Sequence, residues 1–126
     1  MNRAVQYRHI LQTYSRHGWR LARVLASAGT FEELRREGDE ASGGEVRFEG
    51  APVEEAGVDA IWFKRPAQGG REAWELRLVG DIPYALFELF EPDEDEEDRE
   101  QVRREMEAEM KERMGGAGSE GAKGEG

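Results

Sequence analysis

Between residues 58 and 91, apolar and polar positions alternate in three short runs rich in aromatic and aliphatic side chains. The runs are divided by Pro66-Ala67-Gln68-Gly69-Gly70 and by Gly80-Asp81-Ile82-Pro83. Period-two alternation closed by Gly and Pro predicts an antiparallel meander, because strands place successive side chains on opposite faces and tight reversals need those two residues. Upstream, Ala4, Tyr7, Ile10, Leu11 and Tyr14 recur at spacings of three and four, with Arg8, Gln12 and Arg16 on the other side. That is one face of an amphipathic helix. Residues 19–27 read two ways. Gly18, Leu21, Leu25 and Ala28 continue the helical rhythm, whereas Trp19, Leu21, Arg23 and Leu25 alternate as a strand after a His17-Gly18 stop. Helix then strand is preferred, since a glycine inside a helix costs about 1 kcal/mol relative to alanine.

Thr30-Phe31-Glu32-Glu33 has the form of a capping box and opens a short helix of about two turns, ended by Gly38. Residues 38–57 are punctuated by Gly43-Gly44, Gly50, Pro52 and Gly57 and read as loop, with a brief edge strand at 45–49 that sets Val46 and Phe48 on one side. Beyond Pro92, the acids Asp93 to Glu97 suit the positive end of a helix dipole. Glu100–Arg104, Glu107–Lys111 and Glu109–Arg113 are acid-first pairs four residues apart, and Val102, Met106, Met110 and Met114 make one apolar row. The row is narrow for core burial and suits a shallow groove or another helix. Methionine adapts to such surfaces, although ordinary packing is the commoner use of a row like this.

If the meander loops close symmetrically, Trp62 faces Trp74 and Trp74 faces Leu89, with Ala60, Leu76 and Phe87 in the next row and Leu78 opposite Ala85. That face is core. The other carries Ile61, Phe63, Val79, Tyr84, Leu86 and Phe90, interrupted by Arg65, Glu75, Arg77 and Glu88. A solvated face should turn polar, and each large apolar side chain left wet forgoes roughly 1.5–3 kcal/mol. A cover is therefore expected over the second face: the C-terminal helix, a second subunit or a binding partner.

Charge changes the picture more than composition does. The chain has 126 residues and a net charge of −10, yet residues 1–29 hold five arginines and no acid, while residues 91–126 hold fourteen acids and six bases. An acidic chain is repelled by phosphate backbones, so no nucleic-acid partner is expected. The basic start is expected to be neutralised by the acidic helix or by a second copy. There is no cysteine, which removes disulfides, thiol nucleophiles and thiolate metal sites. No apolar run approaches the roughly 20 residues that span a bilayer, and no secretory signal opens the chain, so a cytoplasmic protein without a membrane partner is the expectation. Residues 115–126, half of them glycine, are expected to stay unfolded.

Few residues promise chemistry. His9 and His17 lie about 12 Å apart along a helix and cannot share a metal. Asp93-x-Asp95-x-Glu97 lacks the glycine and the distal glutamate of a calcium loop. Gly69-Gly70 is followed by neither helix nor Lys nor Ser, as a phosphate loop would be, and no serine sits in a nucleophile elbow. No metal ligands or cofactor are assigned, and no motif specific to a family is carried. One cluster remains. Glu75, Arg77 and Glu88, beside Tyr84, interrupt the second face, and in the symmetric register Glu75 opposes Glu88. Facing carboxylates acquire separated pKa values, which suits a ligand or acid–base site; the structural alternative is an ion cluster at the sheet edge.

The sequence thus predicts an α+β fold: an N-terminal helix packed on a three- to four-stranded antiparallel sheet, then an acidic C-terminal helix. Residues 1–92 form the compact domain, 93–114 the helix and 115–126 the tail. The leading functional expectation is a non-enzymatic module binding a protein partner or a second copy through Ile61, Phe63, Leu86, Phe90, Met106 and Met110. The rival is a small-ligand or acid–base site on Glu75, Arg77, Tyr84 and Glu88.

Overall fold

A computed structural model describes residues 3–37 and 45–116. Helix α1 (Arg3–Arg16) leads to strand β1 (Arg20–Ala26) and helix α2 (Ala28–Glu37). Strands β2 (Arg47–Phe48), β3 (Ala51–Glu55), β4 (Ala60–Pro66), β5 (Glu72–Leu78) and β6 (Ala85–Phe90) follow. Helix α3 (Glu96–Lys111) then runs into a π turn at Glu112–Gly116. Gly38, Gly43 and Gly44, and the tail from residue 117, lie outside the described residues. No described helix is long and apolar enough to cross a membrane.

The strands form one six-stranded mixed sheet in the order β2-β3-β1-β4-β5-β6, larger than the three- to four-stranded antiparallel sheet expected. The difference lies in β1 and β3. β1 pairs on both sides, Val24 with Val53 in parallel and Val24 with Ile61 in antiparallel, and α2 supplies the connection that a parallel pair requires. β3 was hidden because Gly50 and Pro52 punctuate it like a loop. In fact Glu49 (φ 52°) and Gly50 (φ 88°) form the two-residue left-handed turn of a β2–β3 hairpin, with Arg47 facing Pro52.

The ambiguity at residues 19–27 resolves as helix then strand. Gly18 has φ +85°; its N–H donates to Ser15 O at 3.1 Å, and the Trp19 N–H reaches Tyr14 O at 3.2 Å. That paired arrangement closes a helix on a left-handed residue, which glycine adopts without a Cβ penalty. The capping box, in contrast, is not formed. α2 starts at Ala28, placing Thr30 inside the helix, and Glu33 accepts instead from the Ala4 N–H at the start of α1, at 3.1 Å. The reason is Asp59, which reaches the head of α2 and takes the Ser27 and Thr30 donors itself.

Helices cover both faces of the sheet. α1 and α2 bury Val24, Ala26, Ile61, Phe63 and Val79, with Tyr14 stacked on Phe63 at 4.1 Å and Tyr7 edge-on to Phe48 at 5.8 Å. The cover over Ile61 and Phe63 is thus the N-terminal helix. α3 lies on the opposite face and packs Met106 and Met110 onto Leu25, Trp62, Trp74, Leu76 and Phe90. The methionine row is narrow, but Arg103 widens it: its guanidinium lies 4.3 Å from the Trp74 ring and the residue is 2 % exposed. Of the three predicted helix pairs, Glu100–Arg104 is formed at 3.0 Å. Glu107 turns inward instead, accepting from Trp62 Nε1 at 2.8 Å, while Arg113 lies over the Tyr84 ring.

The meander registers differ from the symmetric expectation. Trp62 faces Leu76 and Lys64 faces Trp74, a slip of two that leaves both strands' faces unchanged. Between β5 and β6 the slip is one: Trp74 faces Glu88 and Glu75 faces Phe87. A one-residue slip inverts a strand. Tyr84, Leu86 and Phe90 therefore join the core under α3, while Phe87 and Leu89 turn to the other side. The Gly80–Pro83 loop is not a symmetric reversal, and Leu78 N–H donates to Tyr84 O at 2.9 Å as the first rung beyond it.

Candidate functional site

The β6 inversion decides where the expected site residues lie. Glu75 and Arg77 face α1, whereas Tyr84 and Glu88 face α3, so the four do not converge on one pocket. Glu75 accepts from the Tyr14 hydroxyl at 2.5 Å, in a shallow cleft of about 200 Å³ shared with Thr13, His17 and Trp19. Burial pushes the Tyr14 phenol upward, and the hydrogen bond to the Glu75 carboxylate pushes it further. The phenol's proton is thus held on Tyr14, and the hydroxyl occupies one oxygen of the Glu75 carboxylate. His17 directs Nδ1 at Thr13 O, 3.0 Å away, and Arg77 donates Nη1 to Leu78 O at 2.5 Å. Glu75 and Arg77 are thereby engaged with the fold's own groups, and the cleft is smaller than the roughly 300–1,000 Å³ of ordinary ligand pockets.

Of the expected partner-binding side chains, Ile61, Phe63, Phe90, Met106 and Met110 are buried in the molecule's own two cores, and Leu86 is half-buried against α3. The burial leaves other apolar residues on the surface. Phe87 is 57 % exposed and Leu89 is 40 % exposed, both on β6. β6 is the outer strand of the sheet beyond β5, and Ala85 beside them is exposed as well. Because Tyr84 carries a rung to β5, the backbone groups of Leu86, Glu88 and Phe90 also point at β5, and those of Ala85, Phe87 and Leu89 point outward. These outward groups find no partner among the described residues. The exposed side chains and the free backbone groups therefore belong to the same three residues.

A second feature escaped sequence reasoning. Asp59, one residue before β4, accepts from Ser27 N at 2.7 Å, Ser27 Oγ at 3.0 Å and Thr30 Oγ1 at 3.0 Å, and it pairs with Arg3 Nε at 3.1 Å. A carboxylate at a helix start satisfies orphan N–H groups and faces the positive end of the dipole. The cluster lines one wall of a hollow of about 470 Å³, floored by Val58, Leu78 and Val79 and rimmed by Asp81 and Ile82. The one sequence signal was an isolated acid against an apolar strand; its partners Ser27 and Thr30 lie 32 and 29 residues upstream, and Arg3 lies further still.

Ionic contacts tie α3 to the sheet. Arg23 on β1 pairs with Glu100 at 3.2 Å and with Glu107 at 3.4 Å, and Arg103 bonds Glu96 and Glu100. Burial opposes the charge on Glu100, but hydrogen bonds from Arg23 and Arg103 outweigh it and hold the carboxyl below its usual range. Among the described residues, no group of His, Asp and Glu is arranged to hold a metal ion. Searched against family models, curated proteins and solved structures, the chain finds no match.

Proposed function

We propose that this chain is a non-enzymatic protein-interaction module that docks through the open edge of β6. The supporting observation is the coincidence just described: Ala85, Phe87 and Leu89 leave free both their outward backbone groups and their side chains. Sheets normally blunt their edges with charge, proline, a bulge or shortness, and an open apolar edge is the template for strand addition. The opposite edge is blunted, since β2 is two residues long and is followed by a left-handed turn. β6 has six residues and one charge, Glu88, which projects toward the α3 side.

The test is affinity capture from the native cell with the wild type and with the Phe87→Lys/Leu89→Lys variant. Both positions are exposed, so the variant is expected to keep the wild-type circular dichroism. A partner held by the edge is expected to lose at least about 30-fold in affinity, the scale of a central interface residue. Partners bound equally by both proteins would refute the reading.

A second reading, a small-ligand site, is favoured by the hollow beside Asp59, whose volume lies within the usual range for ligand pockets. Its test is thermal stabilisation by a library of small polar amphiphiles that disappears in Asp59→Asn. Stabilisation that survives the substitution would place the ligand elsewhere.

A further inference from the structure

We propose that the occupant of the β6 edge is an extended basic segment of a partner protein, in which apolar residues alternate with lysine or arginine. The inference rests on the reading of β6 as the docking edge and adds what the docked strand must carry. A strand added to β6 lies about 4.8 Å beyond it, and each of its residues shares a face with the β6 residue it opposes. Residues opposite Ala85, Phe87 and Leu89 therefore fall on the side away from α3, against an exposed apolar row. Apolar side chains there continue the row and take it out of water. Residues opposite Leu86 and Glu88 fall on the α3 side, where the surroundings are acidic. Glu88 itself is half-buried and forms no ion pair among the described residues.

The orientation of α3 supplies the rest of that charge. Glu100 and Glu107 reach Arg23 on β1, whereas Arg99 and Arg113 lie over Phe90 and Tyr84, beside the two ends of β6. These contacts fix which flank of the helix overlooks the open edge. With 3.6 residues per turn, Asp98, Glu105 and Glu109 come next round the helix beyond Arg99 and Arg113, on that flank. All three are exposed, and none is ion-paired among the described residues. The two arginines do not cancel them. Arg99 is drawn inward to Glu72 at 3.4 Å and to the Glu91 carbonyl, and of the two only Arg113 is exposed. The apolar stems of lysine or arginine suit the half-buried Leu86 and Val102, while their cationic heads reach these acids. The net charge of −10 also steers a basic segment toward this face. A second copy, in contrast, would bring its own Glu88 and acidic helix to the same seam, like charge against like.

Calorimetric titration of the full chain with three end-blocked heptapeptides tests the pattern, and amide hydrogen exchange locates the site. The first peptide alternates valine with lysine, and the second alternates valine with glutamate. The third holds the valines and lysines of the first in two separate blocks. The alternating basic peptide is expected to bind at least about ten-fold more tightly than either control and to slow exchange at Ala85, Phe87 and Leu89. Its affinity is expected to fall as salt is raised. Glu105→Gln/Glu109→Gln, at exposed positions, is expected to reduce the preference for lysine over glutamate at least about three-fold. Phe87→Lys/Leu89→Lys is expected to abolish binding. Equal affinity for the alternating and block basic peptides overturns the proposal, as does protection confined to α3, because either reduces the effect to bulk charge attraction. Equal affinity for the two alternating peptides overturns the basic occupant and leaves β6 as the docking edge, as does a dimer in sedimentation equilibrium that is lost in Phe87→Lys/Leu89→Lys. Failure of every peptide to bind, with a captured partner still lost in that variant, has the same meaning. A captured partner that the variant retains overturns the docking edge itself.

Discussion

Tyr7 and Tyr14 occupy the buried side of α1 and are both held as neutral phenols. For Tyr7, burial comes first and the nearby Asp59 charge adds to it; for Tyr14, burial is followed by the Glu75 hydrogen bond. Both folded pKa values are raised above the ordinary 10.0. Above that pH the unfolded chain loses phenolic protons that the folded chain keeps. The stabilisation is therefore complete below about pH 10 and is lost as pH rises toward the folded values. Phenolate absorbance from these two residues is expected to appear together with loss of the near-ultraviolet circular dichroism, and Tyr14→Phe is expected to flatten the decline. Full ionisation of all three tyrosines in a protein with native dichroism would contradict this. At the same scale, the contrast between Gly18 and Asp59 shows what a sequence discloses. Gly18 acts on bonds within five residues of itself, so its role was legible. Asp59 acts on Ser27, Thr30 and Arg3, and nothing local announces partners brought in by the fold.

α3 shows the same limit at the scale of an element. Its acidic start, its length and its methionine row were readable from spacing. The inward use of Arg103 was not, because arginine at a helical position ordinarily reads as solvent-facing. Arg103 is buried between the Trp74 and Phe90 rings and bonded to two glutamates that remain partly exposed. Its Nη1 has no hydrogen-bond partner among the described residues. Its contribution is mainly that of a flat side chain filling space, and a buried ion pair adds little over a hydrophobic residue of similar size. Arg103→Met is accordingly expected to change stability by less than about 1.5 kcal/mol. Arg103→Ala should cost about 2–4 kcal/mol by opening a cavity against Trp74. Equal losses on denaturant unfolding would show that the charge, not the volume, holds the helix. β6 was misread for a related reason: Ala-Leu-Phe-Glu-Leu-Phe is apolar on both faces, so the pattern did not fix the register, and loop geometry set it instead.

Across the whole molecule, the uneven charge seen in the sequence becomes a set of contacts between distant segments. Arg3 and Arg8, near the start, pair with Asp59, Glu37 and Glu49, and Arg23 pairs with Glu100 and Glu107 of α3. The basic beginning is thus matched to acids throughout the fold, including those of the last helix. The sheet has helices on both faces, and each core is completed by one end of the chain. A chain ending at Pro92 keeps every strand but lacks the cover for Trp62, Trp74, Leu76 and Phe90. Such a fragment is expected to bind hydrophobic dyes strongly and to precipitate, whereas removal of residues 117–126 is expected to leave the melting temperature within about a degree. A soluble, cooperatively melting fragment of residues 1–92 would show that the sheet needs only its first two helices.

The order in which these covers are made has a consequence during synthesis. Translation delivers α1 and α2 before any strand of the meander, so Ile61 and Phe63 emerge into a layer already waiting for them. The Trp62 and Trp74 face has no such provision, because α3 is translated after β6. Until those last turns leave the ribosome, the nascent chain carries a bare aromatic sheet together with the open β6 edge, the two features that most promote association between neighbouring chains on one message. Slow codons placed at residues 120–126, where the exit tunnel still holds α3 while the meander has emerged, are therefore expected to lower the soluble yield, and the same codons placed before residue 58 to leave it unchanged.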